Sequence, residues 1–390
     1  MNILLSGFSF DAIGGLEIVS AALARMLVAA GHQVQCAALH GIGVCEKDGY
    51  RIVGIAPTNR IARSIAHRLP FLHSLGKVRE LAAWADVIIA AHCHTLPQVY
   101  SAIAKLPKRP PVVAWLHGRE VWGSQGESYA TALRRADRLM AVSHYTSRQV
   151  ALLLGPEHTP TVVFNPVDTG LFRPLSPEDC VDRHSILTVG RLGHDTEHKG
   201  YDMLLKAMAI LQRRRPKLPL TLRIAGSGSR LPLLQSLANQ LNISDRVQFT
   251  GPLSKIELVD HYRRCDLFAF PSRVVPSGSE WHGEGFGVVN IEAAACGRPV
   301  LTSTHGGCPE TIVAGVTGLL VDPTREESVA DGIESMFERG PHERDRMGEQ
   351  GRKFVTETFS YAAVSERIQT LLGEVVADRP PPRAPGGSGA

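Results

Sequence analysis

This sequence has few of the features that mark a secreted, metal-stapled or membrane-spanning chain. Its seven cysteines, Cys36, Cys45, Cys93, Cys180, Cys265, Cys296 and Cys308, are odd in number and widely spaced, with no Cys-x-x-Cys pair. That speaks against a disulfide framework or a structural zinc site and for a reducing cytoplasm. No run approaches the roughly 18 apolar residues that a spanning helix needs. No basic leader precedes the opening segment, Met1-Asn2-Ile3-Leu4-Leu5-Ser6-Gly7, which reads as a buried strand meeting a turn and not as a signal peptide. The 37 Gly and 25 Pro show no period, which excludes a fibre, and 44% hydrophobic residues exclude wholesale disorder. Excess charge is small, +4 over 390 residues, but it is uneven. Residues 1–165 hold 16 Lys/Arg against 10 Asp/Glu, and the rest hold 26 against 28. The basic front half points weakly to an anionic surface or substrate.

Short apolar runs alternating with helical patterns make up the chain. Asn2–Ser6, Gln33–Ala38, Asp86–Ala91, Val112–His117, Arg138–Val142 and Thr161–Phe164 read as buried strands, with helices such as 16–30 and 145–154 between them. The pattern restarts with strands at Ile186–Val189, Leu220–Ala225, Val247–Thr250, Leu267–Pro271, Pro299–Thr302 and Gly318–Val321. Strand–helix alternation predicts parallel sheets covered on both faces. The fold class is therefore α/β, with two doubly wound Rossmann-like domains facing a deep cleft. Prolines in Asn165-Pro166-Val167-Asp168 and Phe172-Arg173-Pro174 mark the boundary. The expected divisions are 1–167, a first Rossmann-like domain; 168–355, a second; 356–376, a helix returning to the first domain after a kink near Phe359-Ser360-Tyr361; and 377–390, a disordered tail.

Open parallel sheets bind ligands beyond the carboxyl ends of their strands, and the chemistry-bearing residues follow strands. In Gly283-Glu284-Gly285-Phe286-Gly287-Val288-Val289-Asn290-Ile291-Glu292, one glutamate lies in a glycine-rich loop and the second eight residues on, in a helix. Carboxylates accept paired hydrogen bonds from neighbouring hydroxyls, so the pair suits a ligand with a hexose at one end and a ribose at the other. Gly285 and Gly287 would let backbone amides reach the same ligand. An exposed Glu284 and a helix-pairing Glu292 are the bland alternative.

Gly190-Arg191 after a strand and Lys199-Gly200 before a helix suit a diphosphate, although a surface pair would look the same. Gly14-Gly15 opens the first helix, either to admit phosphate or a sugar ring or simply to turn tightly. His117, at a strand's end, suits a sugar hydroxyl or the reacting centre, although a lone histidine is more often structural. Gly226-Ser227-Gly228 passes close to a nucleotide or only turns the chain, and Glu310 reads as orienting an Arg or Lys. There is no Walker sequence, no complete Gly-x-Gly-x-x-Gly in either half and no Asp-x-Asp to bring a metal to a nucleotide.

With these residues in place, the chain resembles the retaining glycosyltransferases of family 4, which have the GT-B fold. The likeness is dense from Asn165 to Val321. It rests on Glu284 to Glu292, Gly190-Arg191 with Lys199-Gly200, Asn165-Pro166-Val167-Asp168, Gly306-Gly307-Cys308-Pro309-Glu310 and Gly315-Val316-Thr317-Gly318-Leu319-Leu320-Val321. The sequence departs from the shortest versions of the pattern in the segments 192–198, with Asp195 and Glu197, and 273–283, with Trp281 and His282.

The resemblance implies retaining transfer of a hexose from a nucleotide-diphosphate sugar, GDP-mannose favoured and UDP-glucose next, with no cofactor and no obligatory metal. His117, Glu284, Arg191 and Lys199 would form the reaction centre. Gly14, Gly15, Gly190, Gly285, Phe286, Gly287, Glu292 and Leu253 would bind the donor. The implied acceptor is a sugar or lipid-linked oligosaccharide in surface-polysaccharide synthesis; no nucleic acid is implied. The basic, apolar-studded stretch from Arg60 to Arg79 suits an anionic membrane, implying a cytoplasmic protein peripheral at the inner face of the plasma membrane. A nucleotide-sugar 2-epimerase, an NAD-dependent dehydrogenase and a catalytically silent sugar-nucleotide binding module are the other readings of such a fold.

Overall fold

The computed structural model describes residues 1–10, 15–56, 70–176, 178–277 and 280–378. These fall into two compact units. The first comprises 1–115, 132–139 and the chain from Ser365 on; the second comprises 116–131 and 140–364.

Strands β1 (Asn2–Gly7), β2 (Gln33–Ala38), β3 (Ile42–Lys47), β4 (Tyr50–Ile55), β5 (Val87–Ala90), β6 (Val112–Leu116), β7 (Arg138–Ala141) and β8 (Thr161–Val162) form a sheet in the order β3-β4-β2-β1-β5-β6-β7-β8. Helices α1 (Gly15–Ala29), α2 (Pro70–Trp84), α3 (Leu96–Ile103), α4 (Gly123–Leu133) and α5 (His144–Leu154) alternate with them. Ile3, Leu4 and Leu5 of β1 and Val87, Ile88 and Ile89 of β5 are fully buried, as unbroken apolar strands covered on both faces must be. β1 pairs in parallel with β2 on one side and β5 on the other. β3 alone runs antiparallel, to β4, through a turn at Asp48-Gly49 whose φ angles are +49° and +81°. Two successive positive φ values are what a tight hairpin turn requires. This Asp-Gly hairpin is absent from the strand assignment made from sequence.

In the second unit β9 (Asp182–Val189), β10 (Thr221–Ala225), β11 (Val247–Gly251), β12 (Cys265–Phe270), β15 (Val300–Ser303) and β16 (Gly318–Val321) form a six-stranded parallel sheet in the order β11-β10-β9-β12-β15-β16. Counted within the unit, that order is 3-2-1-4-5-6, the dinucleotide-fold arrangement. A separate antiparallel hairpin, β13 (Val275–Ser277) with β14 (Glu280–His282), occupies the extended 273–283 segment. The helices are α6 (Tyr201–Arg214), α7 (Leu231–Gln240), α8 (Lys255–Arg264), α9 (Val288–Ala295), α10 (Glu326–Glu338), α11 (Gly340–Phe359) and α12 (Tyr361–Ala377). One apolar core joins Ile186, Leu222, Ile224, Leu267 and Leu301 of the sheet to Leu204, Leu205 and Met208 of α6 and Val329, Ile333 and Met336 of α10.

Polar anchors fix the rear of this unit. Asp266 and Arg344, both under 5% exposed, form a two-point pair at 3.0 and 2.7 Å that ties α11 to β12. Arg352 donates to the carbonyls of Thr169, Phe172 and Ala295, so α11 also holds the chain entering the unit. The break between α11 and α12 falls at Ser360, where Val167 N–H donates to Phe359 O at 2.8 Å. From Ser365, α12 belongs to the first unit, and there Gln369 meets the ring of His32. Ala377 is still helical and Asp378 pairs with Arg138, so order persists past the expected start of the tail; residues 379–390 lie outside the described residues.

Candidate active site

Side chains from two loops of the second unit converge. The first follows β9 and runs from Gly190 to Gly200, ending in a short 3-10 turn, Glu197–Lys199, that swings Lys199 inward. The second, 283–287, leads into α9. They meet at Glu284: Lys199 Nζ lies 2.6 Å from its Oε1, and His198 Nε2 lies 3.5 Å from the same oxygen. Lys199 is further held over the Phe270 ring, 5.3 Å from its centroid. Burial alone would push the Glu284 carboxyl up, but Lys199 and His198 reverse this and hold it far below the usual carboxylate range.

Arg191 is 74% exposed at the mouth of the first loop, and its guanidinium lies 3.8 Å from Asp195. Arg119 approaches the same carboxylate at 3.8 Å. Burial pushes the Asp195 carboxyl up, and Arg191, a backbone hydrogen bond, Arg119 and His194 together more than cancel that. One acid inside the longer 192–198 segment thus tethers Arg191, while its main-chain carbonyl faces His198 Nδ1 at 3.1 Å.

Glu292, on α9, has different surroundings. Its Oε2 accepts from the hydroxyl of fully buried Tyr262 at 2.8 Å. Burial dominates and the carboxyl is pushed up to about 7, with the Tyr262 bond only partly offsetting it. Two glutamates of one motif are therefore tuned in opposite directions: Lys199 and His198 outweigh burial at Glu284, whereas burial outweighs Tyr262 and Lys255 at Glu292.

Backbone contacts shape the second loop. A Cβ on Gly285 would stand 1.9 Å from His117 O, so only glycine lets these two chains touch. Ser143, the N-cap of α5, donates to Gly285 O at 2.6 Å while accepting from Thr146 N–H at 3.0 Å. Gly307 N–H donates to Glu284 O at 3.0 Å. His117 N–H donates to Glu120 Oε1 at 2.5 Å, and Glu120 is buried. His117 therefore reaches the Glu284 loop through its main-chain carbonyl.

Other expected site residues are distributed as follows. Gly190 follows β9 beneath the Tyr201 hydroxyl, and Gly287 caps α9. Leu253 is half-buried between β11 and α8, just before the Ser254–Glu257 capping box. The ring of Phe286 is 2% exposed and packs on Phe164 and Phe359, so the residue faces the loop with its main chain. Gly15 opens α1 in the first unit, and Gly14 lies outside the described residues.

Gly228 brings its loop against Leu192, where a Cβ would stand 2.3 Å from that residue's carbonyl carbon. Leu192 N–H donates to Ser227 O and Arg230 N–H to Leu192 O. The Gly-x-Gly turn thus braces the loop that carries Arg191. Glu310 accepts from the backbone N–H groups of His144 and Tyr145, at 2.7 and 2.8 Å, so it anchors the first turn of α5 and not the cation expected from sequence. Sequence reasoning missed Ser143 and His198. An N-cap serine was legible before α5, but its second bond and the ring–carboxylate contact are long-range.

Known proteins resemble this chain in sequence and in fold. Residues 13–171 match the family described as Glycosyltransferase Family 4, and residues 181–354 the one described as Glycosyl transferases group 1. The GDP-mannose-dependent alpha-(1-6)-phosphatidylinositol monomannoside mannosyltransferase of Mycolicibacterium smegmatis is 34% identical over 273 residues, 67% of this chain and 69% of that protein. A D-inositol 3-phosphate glycosyltransferase of Mycobacterium sp. strain KMS is 33% identical over 335 residues, 74% of this chain and 71% of that protein. Among solved structures, sucrose-phosphate synthase of Thermosynechococcus elongatus superposes with a TM-score of 0.77 at 21% identity, covering 97% of this chain and 100% of that one. Anabaena HepE in complex with UDP-glucose gives 0.71 at 21% identity, covering 96% and 100%. The chain belongs to glycosyltransferase family 4 and has the GT-B fold.

Proposed function

We propose that this glycosyltransferase moves a mannosyl group from GDP-mannose to a lipid-linked acceptor, with retention of anomeric configuration and without an obligatory metal. The observation that carries the reading is the Lys199–Glu284 contact with Arg191 at the mouth of the same loop. Cations for a diphosphate thus adjoin a carboxylate for sugar hydroxyls. The mannosyl donor is supported by relatives named for GDP-mannose, and the lipid acceptor by their phosphatidylinositol mannoside substrates.

In the proposed step the bond from the anomeric carbon to the diphosphate oxygen breaks and a bond to the acceptor oxygen forms on the same face. The acceptor's proton passes to the departing diphosphate. Lys199 and Arg191 stabilise the charge that grows there, usually the largest contribution in such sites. Glu284 accepts from the hexose hydroxyls, Glu292 from the ribose, and the amides at Gly285 and Gly287 close on the donor. The acceptor falls to the amino-terminal domain. Enzyme treated with EDTA is expected to keep full turnover; loss of activity restored by added magnesium would overturn the metal-free step.

The same reading makes the protein peripheral at an anionic membrane surface, in the cytoplasm. Among the described residues no helix is long and apolar enough to cross a membrane. Arg60–Leu69, the bulk of the basic stretch, lies outside the described residues; Lys77 and Arg79 lie on α2. Co-sedimentation with vesicles containing phosphatidylserine, weakened by salt, is the expected behaviour. Equal recovery with neutral vesicles would remove the membrane surface from the reading.

A further inference from the structure

We infer that His198 is a positioning residue for Glu284: it is the cation left on that carboxylate when Lys199 turns to the donor's diphosphate, keeping Glu284 charged and aimed. This rests on the donor reading above.

The ring is 4% exposed. Its Nδ1 faces the Asp195 carbonyl at 3.1 Å, and its Nε2 faces Glu284 Oε1 at 3.5 Å. A carbonyl and a carboxylate are both acceptors only, whereas a neutral imidazole has one N–H and one lone pair. Either neutral tautomer would aim a lone pair at an oxygen. The imidazolium alone satisfies both neighbours.

The other charged groups nearby do not replace it. Lys199 shares Glu284 Oε1 with it, and the His282 ring lies edge-on, 6.2 Å between centroids. The Asp195 carboxylate is turned to Arg191 and Arg119, and Arg273 is held by Asp202 and Glu197. One carboxylate oxygen therefore has two cations. They differ in mobility: the lysine head sits on a flexible four-carbon stem, whereas the histidine ring is pinned by Asp195 O and its own carbonyl accepts from Arg273 N–H at 2.7 Å. The flexible cation can leave for a diphosphate, and the pinned one stays. Without His198, Glu284 would face the donor as a half-buried carboxylate stripped of its partner, a state that favours protonation and rotation.

Two readouts on the full-length protein test this. In nitrogen-15 NMR near neutral pH, the His198 ring, assigned by its loss in His198→Ala, is expected to show both nitrogens protonated, and one of them to lose its proton in Glu284→Gln. In steady-state assays with GDP-mannose, His198→Ala is expected to lower kcat/KM at least tenfold, while the Kd for GDP changes less than about threefold. His198→Gln, which keeps an N–H toward Glu284 without the charge, should recover only part of that loss. A neutral single tautomer in the wild type, or kcat/KM within threefold of wild type in both variants, would overturn the inference. The nitrogen signature needs no donor, so absence of turnover with GDP-mannose alongside an imidazolium at His198 would count against the donor and not against the pairing.

Discussion

At the scale of single residues, the two glutamates of the carbohydrate motif show how environment divides one residue type into two jobs. Glu284 has cations on it and stays charged at any physiological pH. Glu284→Gln keeps the shape and removes the charge, so transfer is expected to drop by about two orders of magnitude or more. Calorimetry should show GDP binding nearly unchanged in that variant. Glu292 has a buried tyrosine instead of a cation, and it titrates near 7 against an ordinary value of 4.5. The native protein then keeps a proton that the unfolded chain has already lost, so this group's contribution to stability falls as pH rises from about 4.5 through 7. Glu292→Gln should flatten that part of a melting-temperature series, and an unaltered slope would mean that another group titrates there. In the ribose-binding role proposed for it, Glu292 would accept best when ionised, so nucleotide affinity should weaken as pH drops below about 7 in the wild type and lose that dependence in Glu292→Gln.

At the scale of elements, the active loops are held by contacts that come from far along the chain. Ser143 caps α5 and also donates to Gly285 O, so Ser143→Ala removes two buried bonds at once. A loss of about 1–3 kcal/mol in urea unfolding is expected, with a fall in kcat/KM from a loosened Glu284 loop. Arg344→Ala leaves Asp266 charged, buried and short of its two-point partner. That change should cost about 3–5 kcal/mol, with most of the loss in stability and little in the donor's KM.

The same contacts explain what sequence could show. The six parallel strands of the second unit are legible because each holds a short, mostly apolar segment between helical patterns. β9 is legible only from Ile186, because its first four residues are polar; Arg183 and the His184 N–H pair with Asp266. The β3–β4 hairpin, signalled by Asp48-Gly49, was readable but overlooked. The hairpin β13–β14 was visible only as extra length, since its three-residue strands have too few positions to show a period. Glu284, Lys199 and Arg191 could be picked out by residue type after a strand. That Arg191 is tethered by Asp195, that Phe286 packs inward and that Glu310 anchors a helix are tertiary facts, carried by partners that sequence spacing does not reveal.

At the scale of the molecule, the six-stranded sheet keeps the strand order of a nucleotide-binding fold and carries the residues suited to a sugar nucleotide at the carboxyl ends of its strands. The most direct test of the central claim is transfer from GDP-mannose to a phosphatidylinositol mannoside acceptor, with the product's anomeric configuration read by NMR, for wild type and Glu284→Gln in parallel. An α-mannosyl product from the wild type and almost none from the variant is the expected result. A β-linked product, or equal turnover by both proteins, would contradict a retaining reaction centred on Glu284.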